Sequence, residues 1–287
     1  MMQAMTRRGF ISKGSLAASA AVLACGKPGV ARANPLGMPI GVQTYIARDT
    51  IGKDFSGTLR KLAGMGFQTV EMCSPPGYGK DWEPLTKLTA SQMRETIRAA
   101  GLSCESCHYP FVELQEHLDE RVAYAKDLGL KQMVVSGFWM KKDATLDDWR
   151  KSADACNRLG ERTRKAGIQL AFHNHHFEFA QIDGTLIYDE LMSKLDPALV
   201  KMQFQVAVVN IGYKAVTYFR KYPGRFISLH LSDYSAEKKQ AVPIGQGMVD
   251  WKELFSEAKA AGVKNYFVEM GMDLLKPSSE YLSTLQV

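Results

Sequence analysis

The chain of 287 residues predicts a closed (β/α)8 barrel, an α/β fold, that forms one domain after an N-terminal segment. Two observations support this fold class. From Pro39 onward, a short apolar run, a loop and an amphipathic helical pattern recur eight times, about 30 residues apart. The first run ends in Gln43-Thr44-Tyr45, without the glycine-rich phosphate loop usual after the first strand of an open doubly wound sheet.

The eight predicted strands are short runs rich in apolar residues. In chain order they cover 40–44, 68–72, 102–107, 132–136, 168–173, 200–205, 226–230 and 266–269. Apolar residues at helical spacing predict the intervening helices, as Leu59, Leu62 and Ala63 do in the first. Glycines, which helix C-termini favour, follow several of these helices: Gly66, Gly101, Gly129, Gly167 and Gly262.

The first 33 residues have the parts of a twin-arginine export signal. Arg7 and Arg8 precede a short apolar stretch at 16–24, and Ala31-Arg32-Ala33 offers a small-x-small cleavage site. The apolar stretch is too short for a stable membrane span. We expect cleavage before Asn34, a mature domain over 34–287 and a periplasmic or otherwise exported protein. Because 23–26 resembles a lipoprotein box, a form anchored by lipid at Cys25 is an alternative.

The charge of the chain argues against a nucleic-acid partner. The whole sequence has 36 basic and 30 acidic residues, but five of the basic ones lie in the first 33 residues. The remaining 31 basic residues nearly balance the acidic ones, so the mature domain lacks the basic excess typical of nucleic-acid binding.

The cysteines leave one alternative open. Four of them after Cys25 are too few for a disulfide framework in a chain of this length. However, Cys104-x-x-Cys107-His108 matches the attachment pattern of a c-type haem. The surrounding strand-like run favours packing roles for the thiols and a pocket role for His108.

Polar residues follow nearly every predicted strand. The carboxyl ends of barrel strands meet at one mouth, so we expect these side chains to converge there. Three of the six histidines lie within 173–176. The predicted set comprises Gln43, Tyr45, Glu71, His108, Trp139, the segment 173–178, Gln203, Gln205, His230, Asp233 and Glu269.

Imidazoles and a carboxylate in this set indicate a metal site. His173 or His175, His230 and Glu269 would suit Mn, Fe, Co, Ni or Zn better than Mg or Ca. Such an ion polarises a substrate carbonyl and acidifies the neighbouring C–H bond. His175, Glu178 or Glu269 would then transfer the proton as the catalytic acid or base.

Three segments carry a resemblance to a known family. They are 223–233, which contains His230-Leu-x-Asp233, then 243–251, which contains Gly-x-Gly-x-x-Asp-Trp, and then 267–269, which ends in Val-Glu. Together they resemble the sugar phosphate isomerase/epimerase family of xylose isomerase-like TIM barrels, from about Pro39 to the C-terminus. The segment 173–179 is similar to a His-Asn-His-x-x-Glu-Phe variant of that family.

The resemblance implies one divalent metal ion, Mn, Co, Zn or Fe, bound at the ends of the last four strands. His230 and Glu269 fall on matching ligand positions, and His173 falls where a glutamate is expected. Gln205 stands where the family has an aspartate, so we expect weaker metal binding through an uncharged amide oxygen. The resemblance further implies substrate contacts by Glu178 and His108. From their positions at the predicted strand ends, Glu71, Trp139 and Asp233 are further candidates for substrate binding.

The sequence therefore predicts an exported, metal-dependent enzyme that removes a proton next to the carbonyl group of a small carbohydrate. Isomerisation, epimerisation and β-elimination all begin with this step. No cluster of Arg or Lys indicates a phosphate group on the substrate. A non-catalytic periplasmic carbohydrate-binding barrel is the alternative, and a metal-dependent phosphodiesterase would need a basic groove that the sequence lacks. The oligomeric state is open, and a homo-oligomer is among the expectations.

Overall fold

Eight parallel strands close into one barrel in the computed structural model, which describes residues 34–287. Around the barrel the order is β1-β8-β7-β6-β5-β4-β3-β2. The predicted closed barrel is confirmed. The strands are β1 (Gly41–Gln43), β2 (Thr69–Cys73), β3 (Ser103–Tyr109), β4 (Gln132–Val135), β5 (Gln169–His173), β6 (Val200–Gln205), β7 (Phe226–Leu231) and β8 (Asn265–Val268). The predicted export signal and Cys25 lie outside the described residues.

One main helix follows each strand, and a short helix, Arg48–Ile51, precedes the first of them. The main helices are α1 (Phe55–Gly64), α2 (Ala90–Ala99), α3 (Phe111–Leu128), α4 (Leu146–Lys165), α5 (Ile187–Lys194), α6 (Ala215–Lys221), α7 (Trp251–Ala261) and α8 (Met272–Leu282). Capping boxes at Thr89 and Thr145 satisfy the free N–H groups that begin α2 and α4. Gly129 and Gly262 end α3 and α7 with φ angles of 90° and 83°, a conformation that glycine adopts readily. No described helix is long and apolar enough to cross a membrane.

The register of the strands brings polar residues of neighbouring strands side by side. Gln43 of β1 pairs with Glu71 of β2, and Gln205 of β6 pairs with His230 of β7. His173, the last residue of β5, pairs with Gln203 of β6. Because parallel strands of a barrel end at the same face, this register places the polar residues at one mouth.

Candidate functional site

A buried carboxylate organises the polar residues inside the barrel mouth. Glu71 on β2 has no solvent exposure. Its Oε1 accepts hydrogen bonds from Ser106 at 2.5 Å and from the amide of Gln203 at 2.8 Å. Its Oε2 accepts from the amide of Gln43 at 2.8 Å and from His230 Nε2 at 2.5 Å. Glu71 thus joins residues of five strands.

His230 on β7 lies between two carboxylates. Its Nε2 contacts Glu71, and its Nδ1 lies 2.9 Å from Oε2 of Glu269. Burial by itself would lower the pKa of His230, but the charges of Glu269 and Glu71 raise it to about 9. Burial would raise the pKa of Glu269, yet His230 lowers it to about 2. The imidazolium and the two carboxylates therefore stabilise one another's charged forms.

Gln203 links two further histidines to this network. Its amide oxygen lies 2.6 Å from His108 Nε2 and 3.0 Å from His173 Nδ1. Its amide nitrogen donates to Glu71 and to Ser228. Burial lowers the pKa of His108 and brings that of His173 well below its usual range, so both rings are neutral.

An open pocket of about 530 Å³ lies above this network. Six of the predicted site residues line it, namely Tyr45, His108, Trp139, His173, His175 and Glu269. Glu71 and His230 lie beneath it, without solvent exposure. The remaining lining residues are Gly77, Tyr78, Gly79, Pro110 and Ser136.

His175 presents an imidazole to this pocket. Its ring stacks on Phe177, with 5.0 Å between the centroids, and contacts Trp139 at 4.7 Å. Its Nδ1 has no hydrogen-bond partner among the described residues. A Cβ atom at Gly137 would lie 3.2 Å from the ring, so glycine at this position leaves the imidazole room. Burial lowers the pKa of His175 to about 4, and the ring is neutral at neutral pH.

Glu178 lies below the pocket wall rather than in it. Its side chain is fully buried, and its Oε2 accepts the backbone N–H of His175 at 2.7 Å. Its Oε1 has no partner among the described residues, and burial raises the pKa of this carboxyl to about 8. Glu178 is therefore placed to position His175. Direct proton transfer by Glu178 stays a prediction.

Asp233 organises the loop between β7 and α7. Its carboxylate is 1 % exposed and accepts hydrogen bonds from the Nε1 of Trp251 and from backbone N–H groups at Tyr234, Gly245, Gly247 and Val249. A Cβ atom at Gly247 would lie 2.1 Å from the Asp233 carboxylate, so this close approach requires glycine. The predicted substrate contact by Asp233 stays a prediction, as does that by the buried Glu71.

The residues at the mouth fit a divalent transition metal. His108, His173 and His230 each offer one ligand atom, and these atoms all lie within 4.8 Å of one another. Glu71 accepts from His230 Nε2, which leaves Nδ1 facing the Glu269 carboxylate, an arrangement typical of a metal-binding histidine oriented by a second carboxylate. Neutral imidazoles and a carboxylate are ligands for Zn, Mn, Fe or Co, so an ion bound here would have to displace the Nδ1 proton of His230.

Both amide atoms of Gln205 make hydrogen bonds that leave its oxygen poorly placed to bind a metal. Its nitrogen donates to Glu269 at 2.6 Å, and its oxygen accepts the backbone N–H of Ala207. Metal binding by Gln205 stays a prediction, and it would require the amide to rotate. Gln203, two residues earlier and on the same face of β6, makes the contacts that join the histidines.

The cysteines of the haem-like pattern do not suit covalent attachment. Cys104 and Cys107 are free thiols, with Cys104 partly buried and Cys107 buried, so neither is open to a haem vinyl group. Burial raises the pKa of both thiols. His108 instead belongs to the polar network.

The loop after β2 lines the pocket with three residues that sequence reasoning did not name. Gly77, Tyr78 and Gly79 line the pocket, although this loop carries no metal ligand. Its only signal in the sequence is the density of proline and glycine over 75–79, which indicates a turn rather than a site.

Comparisons with known proteins agree with this architecture. The family model described as "Xylose isomerase-like TIM barrel" matches residues 59–273. The inosose dehydratase of Lacticaseibacillus casei is 26 % identical over 147 residues, which are 45 % of this chain and 48 % of that protein. The chain thus spans about half the length of this relative. The inosose dehydratase of Geobacillus thermodenitrificans is 26 % identical over 245 residues, 75 % of this chain and 80 % of that protein.

Solved structures share the fold. A sugar phosphate isomerase/epimerase from Parabacteroides distasonis superposes with a TM-score of 0.72 at 24 % identity, covering 85 % of this chain and 93 % of that one. A probable 3-DHS dehydratase from Bacillus anthracis superposes with a TM-score of 0.67 at 14 % identity, covering 87 % of this chain and all of that one.

Proposed function

Because the chain belongs to the xylose isomerase-like TIM barrel family, we propose that it is an enzyme that removes a proton next to the carbonyl group of a carbohydrate, with loss of water from the neighbouring carbon as the favoured outcome. The observation that carries this proposal is the position of His175, which lines the pocket beside His173 and Glu269. The curated relatives named inosose dehydratase support elimination as the outcome.

His175 would act as the base. Its ring is held by stacking on Phe177 and lies 4.8 Å, between centroids, from the ring of His173. The C–H electron pair forms the enolate as the proton moves to His175. The resulting imidazolium returns that proton to the departing β-hydroxyl, and water leaves. Return of the proton to carbon would instead give an isomer or epimer.

A divalent metal would be held by His173, His230 and Glu269, with His108 beside them. Bound there, it would supply Lewis-acid stabilisation of the enolate oxygen. Glu71 would keep His230 oriented through the bond to Nε2. Elemental analysis of the purified mature protein should find about one equivalent of transition metal, and His173→Ala should lower that content.

Solvent exchange tests the proposed proton removal directly. The protein is incubated in deuterated water with a panel of keto-sugars and inososes, and NMR follows the C–H signal next to each carbonyl. We expect loss of that signal for at least one compound, together with an eliminated product. Exchange without elimination would assign an isomerase or epimerase. Saturable binding without exchange for any compound would contradict the proposal and favour a carbohydrate-binding barrel.

A further inference from the structure

Two exposed aromatic side chains stand at the rim of the pocket. Trp139 is 60 % exposed and Tyr45 is 41 % exposed, and both line the pocket, from the ends of β4 and β1. The other tryptophans of the chain, Trp82, Trp149 and Trp251, are at most 4 % exposed. Trp139 therefore differs from them in contributing little to the core.

The backbone of Trp139 is held in an unusual conformation. Its φ angle is 52°, in the left-handed region that a tryptophan rarely adopts. Its ring packs against those of His175 and Phe177, with centroid distances of 4.7 Å and 5.6 Å. Such strained residues cluster at ligand sites, where the surroundings enforce them.

The distance from the rim of the pocket to the buried network is larger than the width of one sugar ring. Four rings form a row from the rim inward. Their centroids lie 4.7 Å apart from Trp139 to His175, 4.8 Å from His175 to His173 and 4.5 Å from His173 to His230. A sugar ring that reacts beside His175 and His173 leaves the outer part of the indole free. A second ring attached to that sugar would reach it.

The rim favours a neutral second ring. None of the described residues that line the pocket is Lys or Arg, and Glu269 adds a negative charge. Arg48 does not line the pocket and lies over the ring of Tyr45 at 4.8 Å. The apolar C–H face of a sugar can pack on an exposed aromatic ring while its hydroxyls stay in water.

We propose that Trp139 and Tyr45 form a subsite for a second, neutral ring, and that the substrates are glycosides or disaccharides rather than single or phosphorylated sugars. This inference rests on the proposed function, whose reacting groups it places in the inner part of the pocket. Trp139 is the residue that determines this specificity.

Acrylamide quenching of tryptophan fluorescence tests the subsite without turnover, because Trp139 is the accessible tryptophan. Cellobiose, maltose and trehalose are compared with glucose at equal concentrations. We expect at least one disaccharide to protect Trp139, with a Kd about tenfold below that of glucose. Calorimetry should show this difference lost in Trp139→Ala, largely kept in Trp139→Phe and unchanged in Met248→Ala, an exposed apolar residue outside this pocket. Equal behaviour of all four sugars would overturn the subsite.

The exchange assay separates this inference from the proposed function. A keto-sugar and the same keto-sugar carrying a glucosyl group are compared, and the ratio of their kcat/KM values should fall about tenfold in Trp139→Ala. Effects transmitted through His175 slow both compounds alike and cancel in this ratio.

Exchange of both compounds with an unchanged ratio would overturn the subsite alone. Protection of Trp139 without any exchange would overturn the proposed function alone. A change in oligomeric state with an unchanged ratio would assign the rim to a subunit interface and also overturn the subsite.

Discussion

Glu71 illustrates how a single buried residue can support a site that it does not line. Its carboxylate accepts hydrogen bonds from Gln43, Ser106, Gln203 and His230, and these bonds offset the cost of burying its charge. Burial by itself would raise the pKa of Glu71, but the neighbouring His108 and His230 lower it. Glu71 is ionised and positions His230 and Gln203.

Removal of Glu71 should therefore destabilise the whole barrel. Glu71→Ala leaves several buried donors, among them the His230 ring, without an acceptor, and we expect a loss of about 3–5 kcal/mol in the free energy of unfolding. Urea unfolding measures this. The control is Glu105→Ala, which removes an exposed ion pair with Lys131 and should cost at most about 1 kcal/mol. Similar losses in both variants would contradict the central role of Glu71.

The two neighbouring histidines His175 and His176 provide a matched pair. His175 lines the pocket, whereas His176 is exposed and outside the lining. We expect His175→Ala to slow the exchange of substrate C–H by about 100-fold or more. His176→Ala should leave the rate within about twofold. An equal effect of both substitutions would show that the ring of His175 is not the base.

Glu178 should make stability depend on pH. Its folded pKa of about 8 exceeds the ordinary value of 4.5 because the carboxyl is buried. Between these values the folded state binds more protons than the unfolded state, so its stabilising contribution is fully present below 4.5 and is lost as pH rises through 8. Urea unfolding at pH 5 and 8.5 should show a smaller pH effect in Glu178→Gln than in the parent protein. An identical pH effect in both would contradict the buried neutral carboxyl.

At the scale of elements, the loop between β7 and α7 depends on one carboxylate. The strands Asp233–Ser235 and Gln240–Val242 form a hairpin, and the turn that follows returns to Asp233 through N–H groups at Gly245, Gly247 and Val249. The sequence motifs His-Leu-x-Asp and Gly-x-Gly-x-x-Asp-Trp are thus two halves of one structural unit.

Asp233→Ala should loosen this loop while the barrel strands stay intact. Five donors lose their acceptor, and we expect amide hydrogen exchange at Gly245, Gly247 and Val249 to become at least about tenfold faster. Glu237→Ala is the control, since Glu237 is exposed on the same hairpin. Unchanged protection of the three amides in Asp233→Ala would contradict the role of the carboxylate.

Elements with a strong pattern were predictable from the sequence. The strand predicted at 200–205 is confirmed with the same bounds, and the first predicted strand differs by one residue at each end. The hairpin strands Gln181–Ile182 and Thr185–Leu186 were missed because two residues are too few for an alternating pattern to be recognised. Helix ends with a glycine, such as Gly129, were predictable because the left-handed backbone conformation that ends many helices favours glycine.

At the scale of the whole molecule, the export of the domain remains a prediction. The twin arginines Arg7 and Arg8 precede a domain whose proposed metal would be loaded before transport of the folded protein. We expect Arg7→Lys with Arg8→Lys to keep the protein in the cytoplasm, as cell fractionation with immunoblotting would show. Arg60→Lys, a change at an exposed position of α1, is the control. Export of the double variant would contradict the twin-arginine route.

The sequence by itself determined the barrel and the set of polar residues at its mouth, because the apolar period and the strand ends are local properties of the chain. Only the tertiary structure decided the role of each residue. It placed Glu71, Glu178 and Asp233 beneath or beside the pocket, and it brought His108, His173 and His230 together. These roles depend on burial and on partners up to 159 residues apart along the chain, as for Glu71 and His230, and no local pattern specifies such distances.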